Sequence, residues 1–323
     1  MKISFVATVF SEEKTISKLL DSLFKQSKMP DEVVIVDAGS LDNTLSRIFN
    51  FQFSIFNKNT KSKNIKFKVL NKAGNRAVGR NEAIRNATGD IIVCSDAGCI
   101  LDKDWIKYIT VPFNDSKVDV VAGYYKGDVS SIFEKCLVPY VLVMPDRVDP
   151  NNFIPASRSM AFRKYIWEKA GGFPENLSHN EDYAFAKKLK EINARIVFKK
   201  DAIVYWTPRE NLKESFSMFF RFAYGDIEAR IFRPKVLWLF IRYFFGITLL
   251  VYFLILKSYL IFNILCLTLF LYLLWAVFKN YKYAKKWQAI FILPILQIAS
   301  DVAVISGTTL GLLKSLWDTQ KMQ

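Results

Sequence analysis

Histidine and cysteine are scarce in this chain of 323 residues, which carries one histidine and four cysteines. Cys94, Cys99, Cys136 and Cys266 lack the CxxC spacing of a zinc site, so they read as reduced thiols of a cytosolic or membrane-embedded protein. The lone His179 reads as a solvated loop residue, with a metal or phosphate contact as the alternative. Acidic residues are also short, 30 against 45 basic ones, for a net charge of +15. Such a surplus raises nucleic-acid binding as a candidate. No nucleic-acid motif is present, however, and the basic residues are scattered or flank apolar segments, so no nucleic-acid partner is expected. A signal-peptide pattern is missing too: only the short run Ile3 to Phe10 separates Lys2 from Ser11-Glu12-Glu13. The N-terminal part is therefore expected to remain cytoplasmic.

What is present is organised around Asn75 to Cys99, NRAVGRNEAIRNATGDIIVCSDAGC. Ala77, Ala83, Ile84 and Ala87 recur at helical spacing, Thr88-Gly89-Asp90 stops the helix, and Ile91 to Cys94 predicts a short buried strand. Upstream, Ile3 to Val9 predicts a first strand. Ser11-Glu12-Glu13 predicts a capped helix start, followed by an apolar face of Ile16, Leu19, Leu20, Leu23 and Phe24. Glu32 to Val36 predicts a second strand, running into Asp37-Ala38-Gly39-Ser40. Residues 50 to 64 lack periodicity and read as a surface excursion, after which Ile65 to Leu70 and Val118 to Tyr124 predict further strands. This alternation predicts an α/β fold with a doubly wound, mostly parallel sheet. Ligands of such sheets sit beyond the carboxyl ends of the strands, where Ser95-Asp96-Ala97-Gly98 falls.

The apolar segment Ile132 to Met144 is too short to cross a bilayer and reads as buried or interfacial. A helix through Trp167 and another opened by Ser178-His179-Asn180-Glu181-Asp182 complete a cytoplasmic domain over 1–210. Residues 211–235 form an amphipathic region, because Leu212 to Arg230 mixes five aromatics with Arg221 and Arg230 and suits a membrane surface. A membrane region over 236–313 follows, with spans at 236–256 and 259–278. A further segment, 288–313, is interrupted by Pro294 and Asp301, and 314–323 is a tail. Asp301 is either functional or the mark of a helix end or partner contact. Basic residues at 230, 233, 235 and 242, and again at 279, 282, 285 and 286, place residues 1–235 on the cytoplasmic side of a cell membrane.

TVFSEE, VDAGSLDNT, NRAVGRNEAIRNATGD, SDAGC followed by DW, SRSMAFRKYIWEKAGGFPE and HNED occur in this order. In order and spacing they resemble a family-2 glycosyltransferase of the glycosyltransferase-A fold, with its nucleotide-binding Rossmann-like sheet, over roughly residues 1–230. The resemblance implies inverting transfer of a hexose from a nucleotide-sugar donor to a lipid-linked or cell-surface glycan acceptor at the lipid bilayer. It makes Thr8, Glu12, Asp37, Arg76, Arg80 and Asp96 donor-site residues, Asp182 the general base, and Arg158, Glu181, Arg221 and Arg230 phosphate or acceptor contacts. A leaving nucleoside diphosphate carries charge that a divalent cation and basic side chains neutralise. The resemblance therefore implies Mg²⁺ or Mn²⁺ on Asp96, although Gly98 stands where the family's second aspartate is expected. That departure motivates an alternative, a non-catalytic nucleotide-sugar-binding subunit that anchors a membrane assembly.

Structural readings stand beside these. Ser178-x-x-Glu181 fits a capping box, Asp182 suits the positive end of a helix, Asp37 suits a turn, and Arg158 could be a surface charge on a strand.

Overall fold

The computed structural model describes residues 1–58 and 64–321. Strand β1 (Ile3–Val9) is apolar and almost wholly buried, as a strand with parallel neighbours on both sides and helices on both faces must be. Helix α1 (Ile16–Leu23) follows, and β2 (Glu32–Asp37) lies parallel to β1. The helix begins at Ile16 rather than at Ser11. Ser11 takes a left-handed conformation (φ 54°), so the chain first turns through Glu12–Thr15.

Helix α2 (Thr44–Lys58) replaces the expected surface excursion over most of its length. Ile48, Phe51 and Ile55, spaced three and four apart, pack it onto the core, a stripe that the intervening Asn, Gln and Ser residues hide. Residues 59–63 of that stretch lie outside the described residues.

Strand β3 (Lys66–Asn71), helix α3 (Arg76–Asn86) and β4 (Ile91–Cys94) come next. The sheet then departs from simple alternation. It is completed by β5 (Cys99–Leu101), helix α4 (Trp105–Thr110), β6 (Val120–Gly127), helix α5 (Ile132–Val141), β7 (Met160–Arg163), helices α6 (Lys164–Lys169) and α7 (Glu181–Glu191), and β8 (Ile196–Trp206). The strand order is β3-β2-β1-β4-β7-β6-β8-β5. The pairs from β3 to β4 are parallel, whereas β7 runs antiparallel to both β4 and β6. This is a mixed sheet in which β1 and β4 carry the centre.

Glu32 ties the parallel half together from a fully buried position. Its carboxylate accepts hydrogen bonds from Ser4 Oγ (2.7 Å) and Thr88 N (2.7 Å) and pairs with Lys68 Nζ at 2.8 Å. Burial would raise its pKa, but Lys68, Thr88 and Ser4 outweigh burial and bring it down to about 2 from an ordinary 4.5. The unfolded chain binds this proton more readily, so Glu32 contributes stability above about pH 4.5 that is lost as the pH falls toward about 2. Acid titration of unfolding should show this loss in the wild type and a flattened profile in Glu32→Gln. The difference is expected to be on the order of 2 kcal/mol, because the partly exposed Lys68 is screened.

The chain divides into two compact units, Met1–Asp128 with Met144–Thr207, and Val129–Val143 with Pro208–Gln323. The second unit holds α5, α8 (Leu212–Glu228), α9 (Pro234–Leu256), α10 (Tyr259–Ala284) and α11 (Ala289–Lys321). Helices α9, α10 and α11 are each long and apolar enough to cross a membrane.

The expected interruption of the last segment is absent, since α11 runs unbroken through Pro294 and Asp301. Asp301 is tolerated because it is buried and bonded on all sides. It accepts from Arg242 Nη2 (3.0 Å), Tyr243 OH (3.0 Å), Gln297 Nε2 (2.9 Å) and the Tyr272 hydroxyl, which draws on α9, α10 and α11 alike. Helix α8 lies against α11 where the latter has no side chains: a Cβ on Gly307 would fall 2.4 Å from Phe220 O, and one on Gly311 would fall 2.9 Å from Ile227 Cβ.

Candidate active site

The amino end of α3 is set by Asn75, whose Oδ1 accepts from Val78 N (3.1 Å) while its Nδ2 donates to the carbonyls of Glu175 (2.7 Å) and Leu177 (3.0 Å). Six residues on, Asn81 clamps the Gly-Gly-Phe turn, donating to Phe173 O (2.8 Å) and accepting from Phe173 N (2.9 Å) and Trp167 Nε1 (3.1 Å). Helix α3 is thereby bound to the loop that leads into α7. Gly79 lets it lie directly on β1, because a Cβ there would fall 2.1 Å from Thr8 Oγ1.

Arg80 lies between these anchors and is almost fully buried. Its Nη1 donates to Glu181 Oε1 at 2.5 Å and its Nη2 to Asp96 Oδ1 at 2.7 Å. A buried guanidinium this well matched joins the end of β4 to the start of α7. Ser157, in a 3₁₀ turn before β7, makes the second link: its hydroxyl donates to Asp96 Oδ1 (3.3 Å) and its amide to Asp182 Oδ2 (3.4 Å).

Environment separates the three carboxylates. Burial raises Asp96, but Arg80, Arg158 and Arg76 outweigh it and leave the group below its ordinary value. Glu181 is likewise lowered, burial being overcome by Arg80. Asp182 goes the other way: burial, with the Glu181 charge beside it, pushes its carboxyl up against the opposing Arg80 and Arg158. A raised carboxyl among lowered ones marks the group suited to take up a proton.

The expected capping box at Ser178 does not form. The residue before α7 is Asn180 in a left-handed conformation (φ 58°) with no side-chain cap, and Glu181 turns to Arg80 instead. Arg158 stands in the 3₁₀ turn Ser157–Ser159, not on a strand. Asp37 makes the turn bonds its sequence suggests, accepting from the amides of Gly39 (3.0 Å) and Ser40 (2.9 Å). Glu12 accepts from the Thr15 hydroxyl and donates its amide to Thr44 Oγ1 (2.7 Å). Exposed Arg76 is the first residue of α3, whereas Arg221 and Arg230 belong to the second unit, on α8 and just beyond its end, and are also exposed. Next to His179 Nδ1 is the Ser178 hydroxyl at 2.8 Å.

No group of three His, Cys, Asp or Glu side chains gathers into a metal cluster among the described residues. Asp96 Oδ2 takes none of the bonds above, and the side chain is 34% exposed. That donor set fits an ion that keeps its waters and brings phosphate oxygens as its other ligands, as magnesium commonly does. A Cβ on Gly98 would meet nothing within 4 Å, so the backbone accommodates the missing carboxylate. Gly98→Asp should fold normally and tighten Mn²⁺ binding in the presence of nucleoside diphosphate by about tenfold, read from the free Mn²⁺ signal in electron paramagnetic resonance titrations.

The family model for glycosyl transferase family 2 matches residues 4–166. The chain belongs to that family. This glycosyltransferase is 24% identical over 244 residues to the O-antigen chain rhamnosyltransferase RfbN of Salmonella typhimurium, covering 67% of the present chain and 71% of the relative. It is 25% identical to the poly-beta-1,6-N-acetyl-D-glucosamine synthase of Staphylococcus epidermidis, over 72% of the present chain but 57% of the synthase. To the Staphylococcus aureus poly(ribitol-phosphate) beta-N-acetylglucosaminyltransferase TarS it is 29% identical, over 65% and 36%. The glycosyltransferase therefore spans little more than half of the synthase and about a third of TarS. Its fold is shared with a mannosyltransferase from Pyrobaculum calidifontis solved with GDP-Man and Mn²⁺, at a TM-score of 0.53 and 19% identity over 71% of this chain and 62% of that one.

Sequence reasoning missed Ser157, Asn75 and Asn81. Asn75 carried a readable signal, a capping residue directly before a helical run. Ser157 carried none, because its two partners come from elements 61 and 25 residues away.

Proposed function

We infer that this chain is a membrane-bound, inverting hexosyltransferase that moves a sugar from a nucleotide donor to a lipid-linked or cell-surface glycan. The observation that carries this reading is the linked array Asp96–Arg80–Glu181 and Asp96–Ser157–Asp182, which sets a lowered carboxylate beside a raised one. Asp182 accepts the proton of the acceptor hydroxyl as that oxygen attacks the anomeric carbon on the face opposite the leaving diphosphate. Arg80 keeps Glu181 and Asp96 charged and in place, and Arg76 and Arg158 add positive charge where the diphosphate departs. Thr8, Glu12 and Asp37 border the nucleoside. A divalent cation, Mg²⁺ or Mn²⁺, held by Asp96 and the donor phosphates would supply further neutralisation of the leaving group.

The polymer-building relatives named above support a glycan acceptor. The three long apolar helices, with basic residues at 230–242 and 279–286, support a multi-pass protein whose catalytic unit faces the cytoplasm.

Membranes containing the protein, given a panel of nucleotide sugars with and without chelator, should release nucleotide from one donor. If no donor is turned over or hydrolysed, the reading is wrong. Nucleotide binding by calorimetry without any turnover would instead favour a non-catalytic donor-binding subunit.

A further inference from the structure

Helix α8 runs alongside the second half of α11, and the two point the same way. Phe220 and Ala223 face Gly307, Ile227 faces Gly311, and Lys314 Nζ lies 3.8 Å from Glu228 Oε1 and 5.6 Å from the centroid of the Tyr224 ring. One face of α8, with Ser215, Met218, Phe219 and Ala223, is buried, while Lys213, Glu214, Ser217 and Arg221 are exposed. An exposed face that carries three charges belongs in water.

Helix α11 is long and apolar enough to cross a membrane, but its neighbour excludes that path. At 1.5 Å per residue Gly307 lies about 27 Å beyond Ala289 and Lys314 about 38 Å, against a hydrocarbon core of about 30 Å. If α11 crossed, α8 would cross beside it with Lys213, Glu214 and Arg221 turned to lipid. The chain could not then return. Helix α10 turns back on α9 at Lys257, and α11 turns back on α10 at Lys285, with Tyr243 of α9 and Tyr272 of α10 both bonded to Asp301. As spans, α9 and α11 would therefore start at the same face. From Glu228 to Pro234 an extended chain reaches about 20 Å, too little to recross the core.

The exposed face of α11 has the opposite character to that of α8. Phe291, Ile295, Ile298, Val302, Leu312 and Leu316 fall on one stripe along the helix, and Leu293, Leu296, Gly307 and Gly311 are buried on the other side. We propose that α11 lies along the membrane surface beside α8, with this stripe sunk into the boundary between headgroups and acyl chains, and that only α9 and α10 span. Lipid is the occupant that fits, because the stripe carries no charge and the helix packed beside it turns a charged face to water. This rests on the membrane-bound reading above and adds to it the path of α11, whose carboxyl end stays on the side of α8.

The full chain carrying Cys266→Ser, its other three cysteines being buried, is placed in sealed vesicles of one orientation and given a membrane-impermeant maleimide. Lys213→Cys, Lys257→Cys and Asp318→Cys each put one thiol at an exposed position, so packing is left intact. Asp318→Cys should label from the same side as Lys213→Cys, and Lys257→Cys, at the α9–α10 turn, from the opposite side. Labelling of Asp318→Cys from the side opposite to Lys213→Cys overturns the proposal. Nitroxides at Phe291→Cys, Ile298→Cys and Leu312→Cys then report depth through collision with oxygen and with a water-soluble nickel complex. All three should lie at one shallow depth, about 5–10 Å into the boundary. A depth that reaches the midplane at Ile298, or a stripe that meets no lipid because a second copy covers it, overturns the proposal alone. A wild type that leaves the membrane fraction in alkaline carbonate overturns the membrane-bound reading and this proposal with it.

Discussion

Replacing Asp182 by Asn is expected to lower turnover by about 10²- to 10⁴-fold, the usual contribution of a positioned general base. Nucleoside diphosphate affinity should stay within about twofold, because the amide preserves the shape of the side chain and its one remaining oxygen keeps one of the two bonds made by Ser157 N and Tyr183 N. The pH dependence gives the sharper reading. Burial and the neighbouring Glu181 raise the Asp182 pKa, while Arg80 and Arg158 oppose them. A base works only when deprotonated, so activity should fall as the pH drops through a value above that of an ordinary aspartate. The acid limb of kcat/KM against pH in the wild type, and its disappearance from the residual activity of Asp182→Asn, would establish the assignment. An unchanged limb in the variant, or turnover near wild type, would remove Asp182 from the role.

The second large effect is structural and catalytic at once. Arg80→Met deletes the cation that Glu181 and Asp96 share at 2.5 Å and 2.7 Å and leaves a buried Glu181 without compensation. Breaking a buried pair by removing one partner typically costs about 3–5 kcal/mol, so chemical denaturation should place Arg80→Met well below wild type. Pairing it with Glu181→Gln removes the stranded charge as well. The double variant should recover part of the loss, and the cycle measures the coupling. Additive effects of the two substitutions would show that the ion pair does not hold α3 to α7. Nucleotide affinity should fall in Arg80→Met even at temperatures where it remains folded, because Asp96 loses the partner that orients it.

Much of the first half of the fold was readable because burial simplifies composition. Strands β1, β2 and β4 lie inside the sheet with a neighbour on each side and appear as short apolar runs rich in Val and Ile, and α1 shows its apolar face at Ile16, Leu19, Leu20 and Leu23. Elements that depend on distant partners were not readable. Strand β5 is three residues long and exists because Cys99 to Leu101 find β8 some hundred residues later. Helix α2 hides its stripe among polar residues, and β7 reverses direction between β4 and β6, a choice made by the sheet and not by Met160 to Arg163.

The same division runs through the site first marked by Asn75 to Cys99. The sequence by itself determined which residue types are available there: an arginine-bearing helix, an aspartate at the end of a buried strand, a glycine where a second carboxylate would stand, and a Glu-Asp pair at a later helix start. It also determined three segments apolar enough for a membrane. Only the tertiary structure decided which charge meets which. Arg80 joins residues 96 and 181, Ser157 joins 96 and 182, and Asp301 gathers donors from three helices. The reason is physical: a buried charge must be matched, and the groups that match it are brought in by the packing of whole elements, over separations in sequence that local pattern does not report.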